Sequence, residues 1–202
     1  MSFSRLQAQS FLAPLIRRTT TFILESRQAN LDFARAIIGV LSQTGDSGAI
    51  IDLDAFYSSN SEMIFRPLDQ SAAEATVIRV PKPGADIAGE FSTFFDVLQR
   101  VIIIDSLNTL YHLISLDDGS SRSRKITFAV ASLSYFARTN AKAVLLTMYR
   151  REGLTRGGSG RPIASLSDAA ISVDTNGHEL ALRSDRGSVW PGGRFSIRIP
   201  SE

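Results

Sequence analysis

The stretch Val101-Ile102-Ile103-Ile104-Asp105-Ser106-Leu107-Asn108-Thr109-Leu110-Tyr111 sets the terms on which the rest of the chain is read. Four β-branched residues in a row favour a strand and leave no polar position for a wet face, so the strand is expected to be buried on both sides. Such runs belong to parallel sheets covered by helices, and the flanking sequence should then alternate strand with helix. Asp105 falls at the carboxyl end of the strand, where open α/β sheets place their ligands. It also stands where a helix N-cap would, with Ser106 as its competitor for that role.

The flanking sequence does alternate in this way. Upstream, Thr20–Leu24 is β-branched and aromatic, and Ala49–Leu53 is a second continuous apolar run. Between them Ala34, Ile37, Ile38 and Leu41 recur at helical spacing over Leu31–Leu41, with Gly45 and Gly48 as stop signals. Thr76–Val80 reads as a strand closed by Pro81 and Pro83, and Ile87–Leu98 as a helix with Phe91, Phe94, Phe95 and Leu98 on one face. Downstream come a helix at Ser123–Arg138, striped by Ile126, Val130, Leu133 and Ala137, and a strand at Ala143–Thr147. After that the pattern changes to short strands at Ala170–Val173, Glu179–Leu182 and Phe195–Ile199, with Asn176-Gly177 as a hairpin turn. A short helix, Ser4–Ile16, precedes everything and stops near Pro14. The expectation is an α/β domain with a mainly parallel sheet, helices on both faces and an antiparallel C-terminal hairpin at one edge. Residues 1–18 form an N-terminal helix or arm and residues 19–202 the core.

Composition excludes several classes. At 202 residues the chain fits one domain, and its 44% hydrophobic content is enough to build a core. It has no cysteine and two histidines, so disulfides, thiolate metal sites and histidine-rich metal clusters are ruled out. No apolar run reaches the roughly 18–20 residues a membrane span needs, and the N-terminus lacks the form of a secretory signal. A cytoplasmic location is expected, or a nuclear one in a eukaryote. The net charge of +2 does not announce a nucleic-acid binder, but its distribution is uneven. Arg122, Arg124 and Lys125 cluster, and Arg150, Arg151, Arg156 and Arg161 surround a single acid, Glu152, in Gly/Ser-rich sequence.

The order of these segments resembles the RecA/RadA/KaiC-like superfamily. The Val101–Asp105 run is similar to that family's Walker B strand, whose Asp helps hold the Mg²⁺ of ATP. Asp52-Leu53-Asp54, with Phe56 and Tyr57 after it, resembles the family's strand ending in Asp-x-Glu. Ala143–Tyr149 resembles the strand that ends near Thr-Asn-Gln. Leu182–Arg186 followed by Phe195–Ile199 resembles the closing hairpin. The resemblance implies a three-layer α/β/α sandwich. It also implies that Asp54 stands at the catalytic Glu, Asp105 at the Mg²⁺ Asp, and Tyr149 at the Gln that couples nucleotide state to a DNA-binding loop.

The pattern fails at the phosphate loop. Counting back from the first helix, that loop falls on Glu25-Ser26-Arg27-Gln28-Ala29-Asn30-Leu31-Asp32. Glu25 and Asn30 replace its glycines, Leu31 its lysine and Asp32 its Ser/Thr. Such loops work through backbone N–H groups, a helix N-terminus, an ammonium and a Mg²⁺-binding hydroxyl. Carboxylates at Glu25 and Asp32 would each repel a phosphate by roughly 2–4 kcal/mol at an effective dielectric near 20. No cofactor and no metal are therefore expected, and ATP binding in the usual mode is lost. A new site built from Glu25, Asp32, Asp52, Asp54 and Asp105 is the less favoured reading. The favoured one has Asp32 capping the first helix and pairing with Arg27 at the surface.

What remains are surfaces. In recombinases the two loops matching residues 117–124 and 150–165 face DNA, so Arg122, Arg124, Lys125, Arg150, Arg151, Arg156 and Arg161 are the candidate nucleic-acid contacts, suited to phosphates rather than to bases. Arg183 and Arg186 of the hairpin are the candidate subunit-interface residues. Phe33–Ala36 and Phe128–Ala131 fit the family's Phe-x-x-Ala docking string, but lie inside expected helices and read as core packing. Trp190 reads as a lid over the sheet edge. The leading expectation is an enzymatically inactive RecA/RadA-like paralogue acting as a binding, scaffold or regulatory subunit on DNA in recombination or repair. It would act as a homo-oligomer or with RecA-like paralogues, with no membrane partner. The alternatives are a ring-forming subunit like those of the tRNA-associated Elongator complex, and a residual KaiC-like nucleotide-binding protein.

Overall fold

The apolar runs pair side by side into one eight-stranded sheet. A computed structural model describes residues 4–68, 70–81, 98–115, 122–150 and 166–200. The strands are β1 (Arg18–Leu24), β2 (Gly48–Asp52), β3 (Thr76–Arg79), β4 (Val101–Asp105), β5 (Ala143–Tyr149), β6 (Ala169–Thr175), β7 (Glu179–Arg186) and β8 (Arg194–Arg198). Their order across the sheet is β3-β2-β4-β5-β1-β6-β7-β8. The five pairings from β3 to β6 are parallel, and the two that tie β6, β7 and β8 are antiparallel. β2 and β4 are buried along their whole length, as their apolar runs require, including the aspartates that end them.

Successive side chains of a strand point to opposite faces, so each central strand feeds two cores. On one face Ile50, Ile103, Leu145, Phe22 and Ile171 pack against α1 (Arg5–Leu12), α2 (Arg27–Thr44) and the short helices after β2. Those are α3 (Phe56–Ser59), α4 (Ser61–Phe65) and α5 (Gln70–Glu74). On the other face Ile51, Ile102, Ile104, Val144 and Leu146 meet α6 (Leu107–Ser115) and α7 (Arg122–Thr139). The result is the three-layer α/β/α sandwich that the alternation implies.

Residues 5–15 form a short helix and turn whose Ala8, Phe11, Leu12 and Leu15 are buried in the first core. Three expectations are corrected. The first long helix starts at Arg27, not Leu31, because Ser26 caps it: the Ser26 hydroxyl accepts from the Ala29 N–H at 3.0 Å. Asp32 is consequently neither a cap nor a surface partner of Arg27. It is buried in the second turn, where it accepts from Gln28 Nε2 and Thr175 Oγ1. Phe128 is not core. Its ring is 75% exposed, on the side of α7 turned away from the Ile126–Val130–Leu133–Ala137 stripe, whereas Phe33 and Ala36 are fully buried. The helix expected at 87–98 lies outside the described residues except for Leu98.

Candidate functional site

The carboxyl ends of the parallel strands bring the sequence-predicted acids together. Asp52 and Asp105 are register partners at the ends of β2 and β4, and both are completely buried. Their carboxylates have different employment. Asp52 accepts backbone N–H groups from Phe56 at 2.8 Å and Ser58 at 2.7 Å, so it caps α3 and fixes the turn out of β2. Asp54, exposed on that turn, accepts from Ser106 Oγ at 2.8 Å and from Thr109 Oγ1. Ser106, not Asp105, caps α6: its hydroxyl accepts from the Thr109 N–H at 3.3 Å. The N-cap role considered for Asp105 is thereby assigned to its neighbour.

Asp105 points into the protein. One carboxylate oxygen accepts from Thr147 Oγ1 on β5, and the other is buried without a hydrogen-bond partner. Burial raises its pKa to about 7, and the charges of Asp54 and Asp52 add to the rise against the pull of Thr147 and Asn30. Above it lies a polar cluster supplied by α2, α3 and β5. Tyr57 donates its hydroxyl proton to Asn30 Oδ1 at 3.0 Å, and Asn30 Nδ2 donates to the Tyr149 hydroxyl. Desolvation, reinforced by Asp105, holds both tyrosine hydroxyls well above the ordinary phenol pKa. The Tyr149 N–H is held by Asn108 Oδ1 at 2.9 Å. The sequence singles out Tyr149 and Asn30, but not that they bond to each other, nor that Tyr57 and Thr147 complete the cluster. Only the strand order, which sets β4 beside β5, makes the Thr147 contact foreseeable.

Positions 25–32 do not form a loop. β1 ends at Leu24 and α2 begins at Arg27, so Glu25 and Ser26 are the entire connection. Asn30, Leu31 and Asp32 are helical and buried, inside the layer that packs on the sheet. Glu25 is half exposed and pairs with Arg150 at the end of β5 at 2.7 Å. That partner and the surrounding water screen its charge, so repulsion from Glu25 is weaker than its position in the sequence suggests.

No family model matches this sequence, and no curated protein matches it. Solved structures do. The chain is similar to a crystal structure of the RadB recombinase with a TM-score of 0.63 and 12% identity, over 94% of this chain and 93% of that one. It is also similar to a KaiC-like protein of the hyperthermophilic archaeon Pyrococcus horikoshii OT3, with a TM-score of 0.60 and 13% identity, over 85% and 80%. The chain has a RecA-like fold.

In this RecA-like frame the candidate surface residues are dispersed. Arg122 opens α7, with Arg124 exposed and Lys125 half-buried on its first turn. Arg150 is engaged by Glu25 across β1 and β5, which leaves it less available to a phosphate than the sequence implies. Arg151, Arg156 and Arg161 lie outside the described residues. Arg183 and Arg186 sit on β7, one strand in from the edge strand β8. Arg183 pairs with Asp185 at 3.5 Å and faces Arg194 across the ladder, while Arg186 donates to the Ser167 carbonyl at 3.4 Å. Trp190 is buried, stacked on Phe11 and tilted against Phe195 of the edge strand β8, so it lies over the sheet edge and ties it to the N-terminal helix. Among the described residues no group of three or more His, Cys, Asp or Glu is placed to hold a metal ion, and no helix is long and apolar enough to cross a membrane.

Proposed function

We propose that the chain is a RecA-like subunit that does not turn over ATP and acts as a binding or scaffold subunit. It works on DNA in recombination or repair, as a homo-oligomer or beside RecA-like paralogues. One observation carries this reading: the connection from β1 to α2 is two residues long. A phosphate cradle needs several consecutive backbone N–H groups curled around the anion ahead of the helix, and a two-residue connection has no chain from which to build one. Ser26 also spends its hydroxyl and carbonyl on the Ala29 and Asn30 amides of the first turn. The acids at and just after the end of β2 are equally committed, Asp52 to α3 and Asp54 to Ser106 and Thr109. The residues present do not fit Mg²⁺–ATP. The likeness to a recombinase and the basic residues Arg124 and Lys125 support the DNA part of the reading.

Titration calorimetry with Mg²⁺–ATP is expected to give no heat up to millimolar nucleotide; a micromolar affinity would overturn the reading and favour a KaiC-like nucleotide binder. DNA binding is expected to be sequence-independent, to fall with salt, and to weaken in Arg151→Ala/Arg156→Ala. If neither form binds at low salt, DNA is not the partner.

A further inference from the structure

Helix α7 turns an apolar face to solvent. Phe128 is 75% exposed and Tyr135 72%, although the opposite stripe of the same helix, Ile126, Val130, Leu133 and Ala137, is fully committed to the sheet. Phe128, Ala131, Ser132 and Tyr135 follow one another at spacings of three, one and three, so they lie on one side of the helix. Phe128 and Tyr135 are two turns and about 10 Å apart along the axis. Together with Phe136 and Thr139 these residues line a groove of about 470 Å³. Two aromatic ridges around two small residues make a hole of the kind that receives a single aliphatic knob from a facing helix.

The charge around this groove is one-sided. From Arg122 to Lys142 the sequence holds Arg122, Arg124, Lys125, Arg138 and Lys142 and no acid. Arg138 is bound to Asp168 from outside the helix. The Lys142 ammonium lies 5.4 Å above the Phe136 ring at one end of the groove, and Arg124 and Lys125 lie at the other.

We propose that this face of α7 docks an acidic amphipathic helix of a partner protein, with aliphatic side chains in the groove between Phe128 and Tyr135 and carboxylates toward the basic residues at its ends. The mode is helix-in-groove recognition, with the basic rim selecting the sign of the partner. A second copy of the chain fits less well, because its own α7 carries no carboxylate between Arg122 and Lys142 to meet the basic ends of the groove. A nucleic acid would bring phosphates to a groove whose walls are almost wholly apolar. The inference stands apart from the reading of the nucleotide position, because a chain that bound ATP would present the same face.

The test is fluorescence anisotropy with a labelled synthetic amphipathic helix of about 18 residues, five turns, bearing Leu on one stripe and Glu on both flanks. The same peptide with Lys in place of Glu, a single-stranded DNA oligonucleotide and phosphatidylserine vesicles are the controls. The Glu peptide is expected to saturate and the Lys peptide not to bind. Phe128→Ala/Tyr135→Ala and, separately, Lys125→Glu should each weaken the Glu peptide by about tenfold or more. Because Phe128 and Tyr135 are exposed, the double variant should keep the wild-type far-UV spectrum and unfolding midpoint. Equal binding of both peptides, binding by neither, or unchanged binding by the variants would overturn the proposal. So would self-association, DNA binding or vesicle binding that the double variant abolishes, since each gives this face to another occupant.

Discussion

Asp105 concentrates the unusual chemistry of this molecule. It sits at the end of the most apolar strand, fully buried, with one oxygen held by Thr147 and the other without a partner. Its pKa is raised from an ordinary 3.8 to about 7, first by desolvation and then by Asp54 and Asp52. The folded state therefore holds a proton that the unfolded chain releases between about pH 4 and pH 7, and the unfolded state binds fewer protons throughout that window. Stability should fall as pH rises through it, and the loss should be complete above the folded pKa. Asp105→Asn keeps the acceptor for Thr147 and removes the charge. It is expected to raise stability at about pH 8 by roughly 1–3 kcal/mol while changing little below about pH 4, flattening the profile. Urea unfolding across that range checks this, and an unchanged slope in the variant would show that Asp105 is not the titrating group. The sequence marks Asp105 because a lone acid closing an apolar run is conspicuous. It does not show that Asn30 and Tyr57 meet, since their contact joins two different helices and depends on how α2 and α3 settle over the sheet.

At the scale of elements, strands were easier to read than the starts of helices. Val101–Ile104 and Ala49–Ile51 are apolar throughout, each closed by an aspartate, and read as strands. The start of α2 was masked because Arg27 and Gln28 carry no apolar periodicity, so the pattern becomes visible only about a turn later, whereas the backbone follows the cap. That difference decides the site, since it turns eight positions of supposed loop into a two-residue connection and six helical residues. The cap is testable by itself. Ser26→Ala should lower stability by about 1 kcal/mol and Ser26→Gly by only a few tenths, since glycine leaves the cap amides open to water. Chemical denaturation of the pair checks it, and a neutral Ser26→Ala would mean that α2 is started by something other than this hydroxyl. The exposed face of α7 eluded the sequence for a related reason: Phe128 and Ala131 fit an apolar pattern, but the stronger stripe through Ile126, Val130, Leu133 and Ala137 takes the sheet and leaves Phe128 outside.

At the scale of the whole molecule, the parallel sheet is extended by a hairpin and closed by the N-terminal helix, and the three meet at Trp190. Its ring stacks on Phe11 of α1 with centroids 5.5 Å apart and lies 5.3 Å from Phe195 of β8. Its indole N–H donates to the Phe11 carbonyl at 3.3 Å. Gln7 of α1 adds a hydrogen bond to the Ser196 carbonyl at 3.2 Å, so the first helix and the last strand are tied at two places. The first helix and the last strand are thus one unit with the core that α2 shares with α1. Trp190→Ala, which empties this junction, should destabilise the fold by about 3–5 kcal/mol. Trp190→Phe keeps the stack, loses the indole bond and leaves the Phe11 carbonyl to find water, so its cost should be nearer 1–2 kcal/mol. Trp190 is also the only tryptophan in the sequence, so its fluorescence reports on this junction alone. If helix, hairpin and parallel sheet unfold together, the fluorescence and far-UV transitions in denaturant must coincide. A fluorescence change that precedes the loss of helix signal would instead make the junction a separate, weaker unit, and the cost of Trp190→Ala would then appear in that early transition only.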